Sequence, residues 1–312
     1  MVWFVSLAWA VAPQAPAGRT SVHHAELEVS TDERPVPVRL SWPSGDGPFP
    51  VIVFSHGLGG SGSGYRPLVD HWVAHGFVVA QPTHADSVSL LDAGQRAKHR
   101  SLEDFARDPA VLASWSQRPV EVARVLDALP RLAEEAGLGG RLDMDHVGVG
   151  GHSFGAHTTM MVGGLAVGMG GRRVTAADPR VDALVILSPQ GPGRGLDAAS
   201  YAPVTGPSLV VTGPDDRSPI HGKDGTWRRQ AYDAFGPGDH TLLWLEGTPH
   251  NLGGISGVAR PGAAAADPEV LELVKSSTLA FWQLWLGGDD GARARVEAVG
   301  EHPRATISHR AP

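Results

Sequence analysis

The sequence predicts an α/β protein: one mostly parallel sheet of eight strands, helices on both faces, and an antiparallel strand pair at the N-terminal edge. Three observations predict it. Short runs rich in Val, Ile and Leu alternate with longer stretches of helical spacing, the order that parallel strands joined by crossover helices require. Several runs are apolar without alternation, as in "FPVIVFS" (49–55), which suits a strand buried on both faces. The first two runs are separated by only a short polar link, which suits an antiparallel pair.

Taken in order, "AELEVS" and "VPVRLSW" flank "TDERP" and form that pair. "FPVIVFS" is the third strand, and residues 65–75 form a helix after it. "GFVVAQPT" is the fourth strand. The stretch 86–117 is only partly periodic and reads either as a lid or pocket wall or as a solvated excursion. In "RPVEVARVLDALPRLAEEAG" the spacing of Val122, Val125, Leu126 and Leu129 predicts a helix, with Pro130 kinking or ending its first part. "HVGVGG" is a strand and "FGAHTTMMVGG" a helix. "VDALVILSP", "SLVVTGP" and "HTLLWLEG" complete the eight strands. "TWRRQAYDAF" and "PEVLELVKSSTLAFWQLWL" are the later helices, with "RPGAAAADP" a surface loop before the last. No internal repeat is found. Residues 19–290 are expected to form one domain, and 291–312 a C-terminal tail.

Composition narrows the function classes. Of 312 residues, 42% are hydrophobic and 19% charged, an ordinary globular balance. The net charge of -7, with no long basic run, argues against a nucleic-acid partner. The absence of cysteine excludes disulfides, thiolate nucleophiles and Cys-ligated metals. Residues 2–12 are apolar, too short a run to span a bilayer. With Ala8, Ala10 and Ala12 they read as a signal peptide ending near residue 18, against which stands the lack of any preceding Lys or Arg. The alternative is a disordered start. Export to a secreted or periplasmic location follows from the first reading, a cytoplasmic one from the second.

The chemistry centres on "GVGGHSFGAH" (148–157), where Gly151, Ser153 and Gly155 fill a G-x-S-x-G pattern between a strand and a helix. In that setting the serine sits on a sharp turn, exposed as a nucleophile, and the helix start aims N–H groups at the reacting centre. A serine needs a histidine base, and the histidine needs a carboxylate to fix its tautomer. These follow in the order serine, acid, histidine, on loops after later strands. "PDDRSP" offers Asp216, with Asp215 as the alternative acid. "TPHNLGG" offers His250; His221 is a weaker base candidate and His240, at a strand start, a structural one. The oxyanion needs two backbone donors: the N–H of Phe154, after the nucleophile, and that of Leu58 in "FSHGLGGSGSGY".

Together "FSHGLGG", "GHSFGAH", "TGPDDRSP" and "EGTPHNLGG" resemble the α/β-hydrolase superfamily across residues 36–287. Within it they resemble platelet-activating-factor acetylhydrolase-like and dienelactone-hydrolase-like esterases and bacterial cutinase-type polyester hydrolases. The resemblance implies the α/β-hydrolase fold, a Ser153–Asp216–His250 triad, and Leu58 and Phe154 as oxyanion donors. One departure is Ser188, near the place where the acetylhydrolases carry their acid, so here the acid comes from the following strand. The dienelactone hydrolases proper use a cysteine nucleophile, which this chain lacks. The expected activity is a serine hydrolase cleaving carboxylic esters through an acyl-enzyme, on small-molecule, lipid-like or polyester substrates. Acyl transfer or amide cleavage by the same residues, and a non-catalytic binding protein on the same fold, are the alternatives.

No cofactor and no metal are expected. "HWVAH" sets His71 and His75 one helical turn apart, but no Glu follows His71 as zinc proteases require. Trp227, Trp244, Trp282 and Trp285 are read as core, and Trp115 as a candidate for the pocket lining.

Overall fold

A computed structural model describes residues 20–31, 34–99, 101–258 and 264–311. The signal-like segment lies outside these residues. The apolar runs become β1 (Val22–Val29), β2 (Val36–Pro43), β3 (Phe49–Ser55) and, after helix α1 (Arg66–Val73), β4 (Val78–Pro82). Three helices follow: α2 (Ala93–Ala97), α3 (Leu102–Arg107) and the long α4 (Pro109–Glu135). Strand β5 (Leu142–His152) leads into α5 (Phe154–Val162), and a small hairpin of β6 (Val167–Met169) and β7 (Arg172–Val174) comes next. Then come β8 (Ala183–Leu187), α6 (Ala198–Tyr201), β9 (Ser208–Thr212), α7 (Gly225–Asp233) and β10 (His240–Leu245). Helices α8 (Pro268–Trp285) and α9 (Ala292–Val299) and strand β11 (Ala305–Arg310) end the chain.

The main sheet has the order β1-β2-β4-β3-β5-β8-β9-β10-β11. It is parallel from β4 to β10 and antiparallel at both edges. All eight expected strands are present, with the antiparallel pair at the N-terminal edge. The ninth, β11, lies in the stretch expected to be a tail and pairs with β10, Leu243 opposite Ile307. Its sequence, "ATISHR", is polar because an edge strand is half solvated and needs no second apolar face.

Side chains alternate across the sheet as strand geometry requires. Val51 and Val53 of β3 face one core with Val122, Val125 and Leu126 of α4. Ile52 and Phe54 face the other, with Trp72 of α1 and Trp282 of α8. Pro130 does not end its helix: α4 continues through both Pro119 and Pro130. A proline inside a helix costs about 3 kcal/mol. The α4 stripe of Val111, Val122, Val125, Leu126, Leu129 and Leu132 is buried, at about 1.5–3 kcal/mol per side chain, which outweighs two prolines. Among the described residues no helix is long and apolar enough to cross a membrane.

Candidate active site

Strand β5 is the central strand, and the chain turns from it into α5 at Ser153, with φ 57° and ψ −112°. A positive φ is costly for any residue with a Cβ, and the surroundings hold it there. A Cβ on Gly151 would lie 2.3 Å from the Gly155 carbonyl oxygen, and one on Gly155 only 1.9 Å from that of Ser55. Both glycines are therefore required by space. The Ser153 N–H donates to the Leu187 carbonyl at 2.8 Å, tying the turn to β8.

The loops after β9 and β10 bring the other expected residues to this point. His250 Nε2 is 2.9 Å from Ser153 Oγ, and its Nδ1 is 2.7 Å from Asp216 Oδ1. Asp216 is fully buried and its Oδ2 accepts from the Thr212 hydroxyl at 2.8 Å. Burial alone would raise its pKa. The Arg228 guanidinium and the His250 contact overcome that and hold the carboxyl below the usual carboxylate range. An ionised Asp216 fixes the His250 proton on Nδ1, leaving Nε2 to accept from Ser153. Asp215 is exposed. His221 is half-buried and sits edge-on to Trp227, while His240 is buried between Ser208 Oγ and the Gly236 carbonyl.

Residues that sequence reasoning passed over support this line. Arg228 of α7 is buried; its Nε donates to the Asp216 carbonyl at 2.8 Å, and its NH1 donates to the Ser188 and Pro189 carbonyls. His152 donates from Nε2 to the His250 carbonyl at 2.9 Å and accepts from the Tyr65 hydroxyl at 3.0 Å. That hydroxyl in turn accepts the Gly57 N–H. On the other side, Arg118 and Asp86 form an ion pair with both side chains fully buried. Arg118 donates to the His56 carbonyl at 2.6 Å and Asp86 accepts from the Gly59 N–H at 3.2 Å. Arg118 also donates to the Gly57 carbonyl at 3.4 Å, so the peptides on either side of Leu58 are both held. In the sequence Arg118 is one more polar residue of an amphipathic helix, and Arg228 one of two adjacent arginines; nothing local separates them from surface cations.

Ser153, Leu58 and Phe154 line one cavity of about 580 Å³. Ala106, Val111, Leu112 and Trp115, from the 86–117 excursion, form one wall. Trp227, expected in the core, lines the cavity instead and donates from Nε1 to the Pro192 carbonyl at 2.8 Å. The lining is mainly apolar, so it favours an uncharged, lipophilic group near Ser153.

The buried histidines make stability depend on pH. Burial, the largest cause at each, holds His56, His84, His152 and His157 below the usual imidazole value, to about 3 at His152 and about 4 at His157. In the unfolded chain an imidazole titrates near 6.5. Below that value the unfolded state binds more protons than the folded one, so this stability is complete above about 6.5 and is lost as pH falls. His152 and His157 each lose about 2 kcal/mol by pH 5. Asp86 and Asp216, held low, keep their contribution until pH drops past the ordinary carboxylate range. Thermal melts at pH 7.5 and pH 5 are expected to differ by at least about 5 °C. Equal Tm values would contradict the neutral buried imidazoles.

The sequence model of the Chlorophyllase family matches residues 14–189, more than half of the chain. Chlorophyllase-1, chloroplastic, of Citrus sinensis is 37% identical over 79 residues, 24% of this chain and 24% of that protein. The protein of the same name from Citrus unshiu is 35% identical over a stretch of the same length and share. The chain thus spans about a quarter of the length of these curated relatives.

Proposed function

The chain belongs to the Chlorophyllase family, and on that premise we propose that it is a serine hydrolase of carboxylic esters acting through Ser153, His250 and Asp216. The observation that carries this reading is the unbroken line of hydrogen bonds from Ser153 Oγ through His250 to Asp216, at 2.9 and 2.7 Å, at the base of an apolar cavity.

Ser153 Oγ attacks the ester carbonyl carbon while His250 Nε2 takes its proton. The negative charge that develops on the carbonyl oxygen is held by the N–H groups of Leu58 and Phe154. The first lies in the clamped loop. The second opens α5, where N–H groups have no partner within the helix. Collapse of the tetrahedral adduct breaks the C–O bond, and His250 returns its proton to the departing alcohol. Water, deprotonated by the same imidazole, then attacks the acyl-enzyme and releases the acid.

The size and apolar lining of the cavity support a lipophilic ester. The name of the relatives supports including a chlorophyll-type ester in the panel of substrates, beside p-nitrophenyl esters of increasing chain length and a polyester. The apolar stretch 2–12 supports export, which N-terminal sequencing of the mature protein checks. The direct test of the activity is a fluorophosphonate probe. The expected result is a single covalent adduct, located by peptide mass at Ser153, with parallel loss of ester hydrolysis. A folded protein that is not labelled, or that is labelled elsewhere, would overturn the reading.

A further inference from the structure

Two loops that line the Ser153 cavity each bear an exposed cation. Arg194 lies in the loop after β8 and Lys223 in the loop after β9; both side chains are exposed and both residues line the cavity. Among the described residues neither forms an ion pair or a side-chain hydrogen bond, and no Asp or Glu lines the cavity. Arg228, the third cation of the lining, is taken up by Asp216 and backbone carbonyls. The apolar cavity thus carries two exposed cations with no acidic residue in its lining, in a chain whose net charge is -7.

The placement of Arg194 is built. It stands between Gly193 and Gly195, and all three have positive φ, 125°, 52° and 85°. Two hydrogen bonds between Gly193 and Leu196 close the turn. Glycine would take this conformation freely, whereas arginine is strained there, and strain of this kind is kept where a side chain is needed. The loop is fixed to α7 on its other side. Trp227 bonds the Pro192 carbonyl, and a Cβ on Gly191 would come within 2.0 Å of the Trp227 carbonyl oxygen. Lys223 is fixed in turn by its carbonyl, which accepts the Ser218 N–H at 2.7 Å. His221 also lines the cavity, and burial, then Arg194 and Arg228, hold it toward the neutral form.

We propose that Arg194 and Lys223 are specificity-determining residues that bind a carboxylate carried by the substrate at a distance from the scissile ester. The preferred substrate class is then an ester with a second, ionised acid group, such as a half-ester of a dicarboxylic acid. This rests on the reading of Ser153 as the nucleophile of an ester hydrolase. The apolar walls take the intervening chain and the two cations hold its charged end. Unpaired exposed cations gain by meeting such a group, and the gain is screened by salt.

The test compares mono-p-nitrophenyl adipate with its methyl-capped neutral diester, both followed by p-nitrophenol release. The wild-type ratio of kcat/KM, anionic over neutral, is expected to be about ten. It should fall to about one in R194A/K223A, and shrink when NaCl is raised from 0.1 to 1 M, as the screening length drops from about 10 to about 3 Å. In R194E/K223E the neutral diester should be preferred. A ratio that is the same in wild type and both variants overturns the proposal while leaving the hydrolase reading intact. Folded wild type that turns over neither ester overturns that reading, and this one with it.

Discussion

Ser153→Ala is expected to lower kcat for ester hydrolysis by roughly 10⁴- to 10⁶-fold, the loss that follows removal of a triad nucleophile. Only Oγ is deleted, and with it one hydrogen bond to His250 Nε2. Alanine at φ 57° carries the same backbone strain as serine, and the N–H that ties the turn to Leu187 is untouched. The fold should therefore survive, which a thermal melt checks. The oxyanion donors and the cavity also survive, so residual activity above the uncatalysed rate is expected. KM should change little, because Oγ acts chiefly in the transition state. Equal rates for wild type and variant on p-nitrophenyl butyrate would remove the serine from the mechanism.

The second large effect separates two neighbours. Asp216→Asn is expected to cost about 10⁴-fold in kcat, because a neutral amide no longer holds the Nδ1–H tautomer or stabilises the imidazolium. Asp215→Asn is expected to stay within about twofold, since that side chain is exposed and the Thr212, Arg228 and His250 contacts all belong to Asp216. Asp216→Asn also leaves buried Arg228 without its counter-charge, a loss of up to about 3–5 kcal/mol in stability. Activity should thus be measured well below the lowered Tm. Strong loss in Asp215→Asn with an unaffected Asp216→Asn would reverse the assignment.

What could be read from the sequence follows physical locality. The inner strands were legible because double burial demands unbroken apolar runs, as in β3 and β8, and the first two because a short polar link joins them. Ser153 was legible because its turn forces glycines at fixed offsets on either side. Asp216 and His250 were legible as loop positions after particular strands, but which of two adjacent aspartates turns inward depends on packing. Arg228, Arg118 and Asp86 were not legible. Their burial arises from partners far along the chain, and a buried arginine has no local signature. Trp227 was misread because an aromatic residue on an amphipathic helix looks the same whether it meets core or cavity. Strand β11 was hidden by its own polarity, and Pro130 suggested a helix end that tertiary packing overrides.

The Asp86–Arg118 pair has a wider consequence. Among its described residues the detour between them contributes no strand to the sheet, and it supplies a side of the cavity through Ala106, Val111, Leu112 and Trp115. Lengthening such a detour is cheap, since doubling it adds only about 0.6 kcal/mol of closure entropy. A change in the length of this segment would therefore reshape what the cavity admits at little cost in stability, with the contacts among Ser153, His250 and Asp216 left as they are.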